Sequence, residues 1–195
     1  MAGATVGAGA GSCRLSDPSA SPGVRGDLLS GIRIAGPADA TSIHAIYAPI
    51  VRDTHISFEL EPPSVEEIRR RMESAPVPWL VHEGDGRIAG FASAGPFRSR
   101  AAYRWTAETS MYVAESARRQ GVGHGLGEAI LEQLRSANYR SAVSIVALPN
   151  AASERLMTSL GYRQVGVLRD AGFKLDRWWD VAFWQRRLSG QPTQG

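Results

Sequence analysis

"RRQGVGHG", residues 118–125, sets two adjacent arginines against three spaced glycines. Three glycine-loop chemistries compete for the longer run "RRQGVGHGLG". A Walker loop needs GxxxxGK[ST], and the run holds no lysine followed by Ser or Thr. A dinucleotide fingerprint needs GxGxxG, and counting from Gly121 places Leu126 where the third glycine belongs. The pattern [QR]xxGxG fits, supplied by Arg118, Gly121 and Gly123. Glycines there let successive backbone N–H groups point into one concavity, and the start of a helix adds partial positive charge. A pyrophosphate would suit such a cradle, and Arg118 and Arg119 could add charge-assisted bonds. Taken alone, the stretch reads equally well as a solvated turn, so its neighbours must decide.

Before it, "WTAETSMYV" reads as a strand; after it, Val122, Leu126, Ile130 and Leu134 recur on one face of a helix. "SAVSIVAL" follows as a buried strand. Asn150 can cap the helix "AASERLMTSLG", which Gly161 stops. Strands near 162–168 and 179–186 finish the pattern. Upstream, Ile32 and Ile34 alternate as a short strand and Asp39 offers an N-cap. Ile43, Ile46, Tyr47, Ile50 and Val51 then follow helical spacing, with Pro49 predicted to kink or break the helix. Ser64 with Glu67 forms a capping box for a second helix running to about Met72. "WLVHEGDGRIAGFASAGPF" reads as two strands joined by a Gly-Asp-Gly turn. The order is βααβββαβαββ, an α/β fold with a mixed sheet and no internal repeat.

The 195 residues suit one domain, with 43% hydrophobic and 21% charged residues. Residues 1–30, rich in Ala, Gly, Ser and Pro, lack core-forming side chains and read as a disordered tail. Residues 189–195 read as a short C-terminal tail. Net charge is only +3, with no long basic run, so nucleic acid is not implied. One cysteine, Cys13, excludes an intrachain disulfide, and His44, His55, His82 and His124 show no metal-ligand spacing. No stretch is long and apolar enough for a membrane span, and the N-terminus lacks a signal-peptide pattern. The expectation is a reduced, cytoplasmic, metal-free protein.

Together with "RWTAETSMYV", "LPNAASERLMTSLGY" and "AGFKLDRWWDVAFWQ", the glycine loop resembles the GNAT superfamily of acetyl-CoA-dependent N-acetyltransferases. More closely, the chain is similar to the enzymes that acetylate phosphinothricin, methionine sulfone and methionine sulfoximine, over about residues 32–188. The resemblance implies a GNAT domain over 31–188, its central, mostly antiparallel sheet flanked by helices. It implies that acetyl-CoA serves as acetyl donor, its pyrophosphate held by Arg118, Arg119, Gln120, Gly121, Val122, Gly123 and His124. The backbone of Met111, Tyr112 and Val113 would pair with the pantetheine arm as an added strand does. Asn150 would face the same arm, beside its reading as a simple N-cap. Glu108, by itself an ordinary strand carboxylate, becomes the general base, and a backbone N–H near Tyr112 would hold the oxyanion.

The subgroup's acceptors are small amino acids with a carboxylate and a second polar or anionic group, so the site needs cations. Arg98 and Arg100, two apart in "FRSRAAY", would point the same way in an extended segment and could fork such oxyanions. The alternative is a solvated surface pair. With Tyr103 they match substrate-contacting positions of the subgroup, Phe58 matches a pocket wall, and Lys174 is a weaker candidate. Two positions depart from the pattern. Met157 stands where many relatives carry a Tyr or His proposed to protonate the thiolate, which leaves Tyr112, Tyr162, water or no acid at all. Trp179 replaces a histidine of the phosphinothricin enzymes and leaves the acceptor end open. Relatives commonly form homodimers, and the aromatic strand "WWDVAFWQ" suits an interface or an ordinary core. Acetylation of a protein N-terminus and a silent acetyl-CoA-binding module are the rival functions. Antibiotic resistance and scavenging of an oxidised amino acid would use the same pocket chemistry.

Overall fold

The structure, a computed structural model, describes residues 30–188. Except for Ser30, the expected tails at 1–30 and 189–195 lie outside the described residues, as does Cys13. Seven strands make one sheet: β1 (Ile32–Ile34), β2 (Leu80–Gly84), β3 (Arg87–Pro96), β4 (Thr106–Val113), β5 (Ser141–Ala147), β6 (Arg163–Lys174) and β7 (Arg177–Arg187). The helices are α1 (Ala40–Asp53), α2 (Val65–Glu73), α3 (Val122–Ser136) and α4 (Ala151–Ser159). The chain order matches the expectation. In space the strands run β1-β2-β3-β4-β5-β7-β6, antiparallel throughout except for β4 beside β5.

Each sheet face buries its own apolar set. Ile43, Tyr47 and Val51 of α1 and Ile68 of α2 pack on Val81 and Phe91. On the opposite face Leu126, Ile130 and Leu134 of α3 join Met157, Leu160, Ala107 and Ala142. The β2–β3 turn places Asp85 at φ 50° and Gly86 at φ 70°, the paired positive values of a type I′ hairpin. Among the described residues no helix is long and apolar enough to cross a membrane.

Four local expectations change. The helix does not break at Pro49: α1 runs to Asp53, its last turn held by buried Ile50 and Val51 and by Thr54 Oγ1 donating to the Ile50 carbonyl at 2.6 Å. Asp39 sits at the N-cap, but its carboxylate caps nothing in α1. It accepts instead from the Gly36 amide at 2.7 Å and from Arg33 at 2.7 and 2.8 Å, and that guanidinium keeps it below the usual carboxylate range. Ser64 does accept from the Glu67 amide at 3.1 Å, yet the Glu67 carboxylate turns to Arg70 and Arg71 rather than back to the cap. Finally, β6 extends to Lys174. Its register shifts between Gln164 and Gly166 and between Leu168 and Gly172 scramble the alternation that a strand normally shows in sequence.

Candidate active site

Strands β4 and β5 pair at only three positions, the last being Glu108 opposite Val143. Beyond it, β4 keeps β3 as partner and β5 keeps β7, so the two inner edges part and face each other across a cleft. Backbone groups on those edges are left for a ligand to satisfy. The fork is clasped by Thr109, whose Oγ1 bonds the Val143 carbonyl at 3.2 Å and the Tyr162 hydroxyl at 2.8 Å. Tyr162 is buried and does not line the cleft, and that burial pushes its hydroxyl up to about 12.

Met111, Tyr112, Ser144, Asn150 and Met157 line the cleft, and Ile56 closes it from the segment after α1. Asn150 also accepts from the Ser153 amide at 3.1 Å, so one side chain caps α4 and borders the cleft. Asn150→Ala is expected to lower unfolding free energy by about 1 kcal/mol, whereas Asn150→Asp keeps the cap and the stability, as read by urea denaturation. The Tyr112 ring packs 4.7 Å from Tyr47 and 5.3 Å from Phe91, and burial raises its hydroxyl well above the usual tyrosine range.

The glycine loop lies at the end of this cleft. Gly121, at φ 83°, turns the chain into α3, and Arg119 also adopts positive φ, at 64°. Gly125 N–H donates to the Gly121 carbonyl at 2.9 Å, which leaves the amides of Val122, Gly123 and His124 outside the α3 ladder. That is a concavity of donors with the helix dipole behind it. Gly123 packs beside Val113 and Leu156, tying the loop to both cleft walls, while Val122 has its side chain in the core. Gln120 Nε2 donates to the Ser116 carbonyl at 3.0 Å and braces the loop. Arg118 turns away toward Glu115, 4.0 Å distant, and a hollow beside Ile46 and Arg87.

Alternation along β4 sends Ala107 and Thr109 into the α3 core, and Glu108, Ser110 and Tyr112 toward α1 and α2. Glu108 is half-buried in a cavity of about 340 Å³ with Arg71, Trp79, Pro96 and Ser110. Burial raises its carboxyl above the ordinary range and the charge of Arg98 opposes the rise. Ser110 borders both this cavity and the cleft, so one residue, two positions along β4 from Glu108, is common to both.

Of the remaining predicted residues, Arg98 lies near enough for its charge to act on Glu108. β3 ends at Pro96, and residues 97–100 are irregular, so Arg98 and Arg100 are not paired by strand geometry as expected. Proline has no N–H to continue the ladder. The Arg98 guanidinium lies 4.3 Å over the Phe97 ring, and Tyr103 meets the same ring edge-on at 5.7 Å. Phe58, 39% exposed, lies against Gly172 of β6. Lys174 is not a rim cation: its ammonium is buried and donates to the Val51 and Ser57 carbonyls at 2.5 and 2.6 Å. Trp179 is also buried, stacked on His55 at 3.9 Å.

Sequence and fold are both similar to those of known proteins. The acetyltransferase (GNAT) domain matches residues 32–183. The chain belongs to the GNAT acetyltransferase family. It is 38% identical over 159 residues to the phosphinothricin N-acetyltransferase of Streptomyces viridochromogenes, covering 80% of this chain and 86% of that protein. It is 31% identical to the L-methionine sulfoximine/L-methionine sulfone acetyltransferase of Pseudomonas aeruginosa, covering 86% and 98%. A GNAT superfamily phosphinothricin acetyltransferase from Sinorhizobium meliloti, solved in complex with AcCoA, superposes with a TM-score of 0.80 at 32% identity, covering 84% of this chain and 93% of that one.

In this GNAT chain, sequence reasoning missed Ile56, Arg71, Trp79 and Ser110. Only Ser110 carried a usable signal, the two-residue period that puts it on the Glu108 face. The other three reach the site through folding of the α1–α2 segment, of α2, and of the approach to β2.

Proposed function

We propose that this GNAT acetyltransferase transfers the acetyl group of acetyl-CoA to the α-amine of a small amino acid such as phosphinothricin, methionine sulfoximine or methionine sulfone. The observation that carries the reading is that Ser110, two residues from Glu108, borders both the Glu108 cavity and the β4–β5 cleft. An amine entering the cavity reaches a donor lying in the cleft beside a carboxylate held ready to take its proton. Glu108 is the general base in this reading, acting directly or through one water.

The chain's residues fit acetyl-CoA. The free amides of Val122, Gly123 and His124, with Arg119 and Gln120 beside them, suit a pyrophosphate. Tyr112 and its neighbours Met111 and Val113 offer an unpaired strand edge to the pantetheine arm. Acetyl-CoA supplies an acyl group activated as a thioester. Met157 cannot donate a proton and Tyr162 is held in the core by Thr109, which leaves Tyr112, water or departure of the thiolate without acid help. A thiol ionises near 8.5, so that departure is not demanding. At the rim, Arg98, Arg100 and Tyr103 form a cationic mouth for the acceptor's oxyanions, with Phe58 as a wall.

Trp179 and Trp184 are core residues, which takes two of the four aromatics of β7 out of any interface. Trp178 and Phe173, 57% and 55% exposed, pack together with their rings 5.3 Å apart, and Leu168 and Val165 on β6 are also exposed. We assign the exposed Phe173–Trp178 pair at the end of the β6–β7 hairpin to a homodimer contact, because exposed aromatic surface seeks cover. Sedimentation at micromolar concentration should give a dimer, and Trp178→Glu a monomer; a monomeric parent chain removes the assignment. A cytoplasmic, reduced setting is in keeping with the single cysteine.

The test is release of free thiol from acetyl-CoA with phosphinothricin, methionine sulfoximine, methionine sulfone and a short N-terminal peptide as separate acceptors. Turnover of one of the amino acids supports the reading. Turnover of the peptide alone makes the protein an N-terminal acetyltransferase, and acetyl-CoA binding with no turnover of any acceptor makes it a binding module.

A further inference from the structure

Residues 54–60, which join α1 to α2, touch both halves of the site. Ile56 borders the cleft, while Glu59 holds Arg71 of the Glu108 cavity at 2.7 and 3.2 Å. The segment is anchored on its other side to the β6–β7 hairpin and the β5–α4 loop. His55 stacks on Trp179, and its Nε2 lies 3.1 Å from the Pro149 carbonyl. Lys174 donates to the Ser57 carbonyl and, in the last turn of α1, to that of Val51. Lys174 is only 6% exposed, a costly burial for an ammonium, and charge-assisted bonds to two carbonyls, one of them in the last turn of α1, offset the cost.

Gly172 supplies the last anchor. A Cβ there would lie 2.6 Å from both Cδ2 and Cζ of Phe58 and closer still to Cε2. The missing side chain is therefore the seat of the Phe58 ring. Gly172 does not adopt positive φ, so its backbone accepts alanine and only the ring must give way.

We propose that Gly172 and Lys174 of β6 are positioning residues that set acceptor specificity, Gly172 by seating the Phe58 ring and Lys174 by fixing the strap that carries it. The inference rests on the reading of Phe58 as an acceptor-pocket wall. Neither residue touches the acceptor; both act through the segment 54–60.

Gly172→Ala should raise KM for the best of the three amino acids about three- to tenfold, the worth of one aromatic contact. KM for acetyl-CoA and kcat should stay within about twofold, because the ring, not the cleft, is displaced. Phe58→Ala should raise the same acceptor KM, and Gly172→Ala added to Phe58→Ala should raise it no further. Lys174→Met, checked by a thermal melt, should raise acceptor KM at least as much and speed amide exchange across 54–60. If Lys174→Met does not fold, the Gly172 and Phe58 cycle decides alone. Wild-type turnover with Gly172→Ala unchanged, or additive in the Phe58→Ala background, overturns this inference and leaves the proposed function standing. An unchanged acceptor KM in Phe58→Ala removes the wall and the inference with it. A parent chain that turns over none of the three amino acids defeats the proposed function instead.

Discussion

Glu108→Gln is expected to lower kcat by about 100- to 10,000-fold, the usual worth of a positioned base. Glutamine keeps the shape and the half-buried position but cannot accept the proton. The base works as a carboxylate, so kcat/KM falls as pH drops through the Glu108 value. Burial raises that value and the Arg98 charge only partly opposes the rise, which puts the acidic limb above the range of an exposed carboxylate. The limb should vanish in Glu108→Gln. Stability should run the other way. Because the folded-state pKa is raised, the fold opposes ionisation at every pH above the unfolded carboxylate value. Wild type gives up stability as pH rises between the unfolded and folded values, and Glu108→Gln does not. At pH 7 the variant should melt no lower than wild type, and any advantage should disappear in acid below both values. Full turnover at neutral pH in Glu108→Gln would remove the base assignment; a lower melting temperature would point to a packing role.

Gly127→Val is expected to cost up to about 3 kcal/mol of stability, the upper part of the range for overpacking a close-packed site. Gly127 lies inside α3, where replacement by alanine would ordinarily stabilise by about 1 kcal/mol, and by valine somewhat less, through helix propensity. Tertiary contact reverses the sign. A Cβ at 127 would lie 2.8 Å from Leu160 Cδ2, closer to Cδ1, and 3.1 Å from the Met111 sulfur. Leu160 ends α4 in the core and is 1% exposed, so its methyl groups have little room to retreat. Met111 borders the cleft, so the same substitution should also raise KM for acetyl-CoA. A thermal melt within a degree of wild type, with unchanged KM, would sink the prediction.

The amino-acid pattern alone determined the order of elements, because each is built from local signals. The spacing of Val122, Leu126, Ile130 and Leu134 defines the buried face of α3. Asp85-Gly86 supplies the positive φ of the β2–β3 turn, and Gly121 that of the α3 entrance. Asn150 and Ser64 cap their helices with bonds three residues away. Asp39 misled because a fork from Arg33, six residues back, outbids a cap. Pro49 does not end its helix because burial of Ile50 and Val51 outweighs one lost helical bond. The bulges of β6 have no period to read.

The site needed more than local order. Glu108 and the glycine loop were legible only through the resemblance to the GNAT superfamily, since locally the one reads as an ordinary strand carboxylate and the other equally well as a solvated turn. That β4 parts from β5 just beyond Glu108 could not be read from either strand, since each is fully paired on its other edge and only their mutual register opens the cleft. Arg71, Trp79 and Ile56 join the site across long chain separations, and Lys174 reaches Ser57 across 117 residues. A buried lysine between two carbonyls and a solvated rim lysine have the same sequence signature. Only the tertiary structure decides between them, because desolvation and bond geometry belong to the packed chain and not to its local pattern.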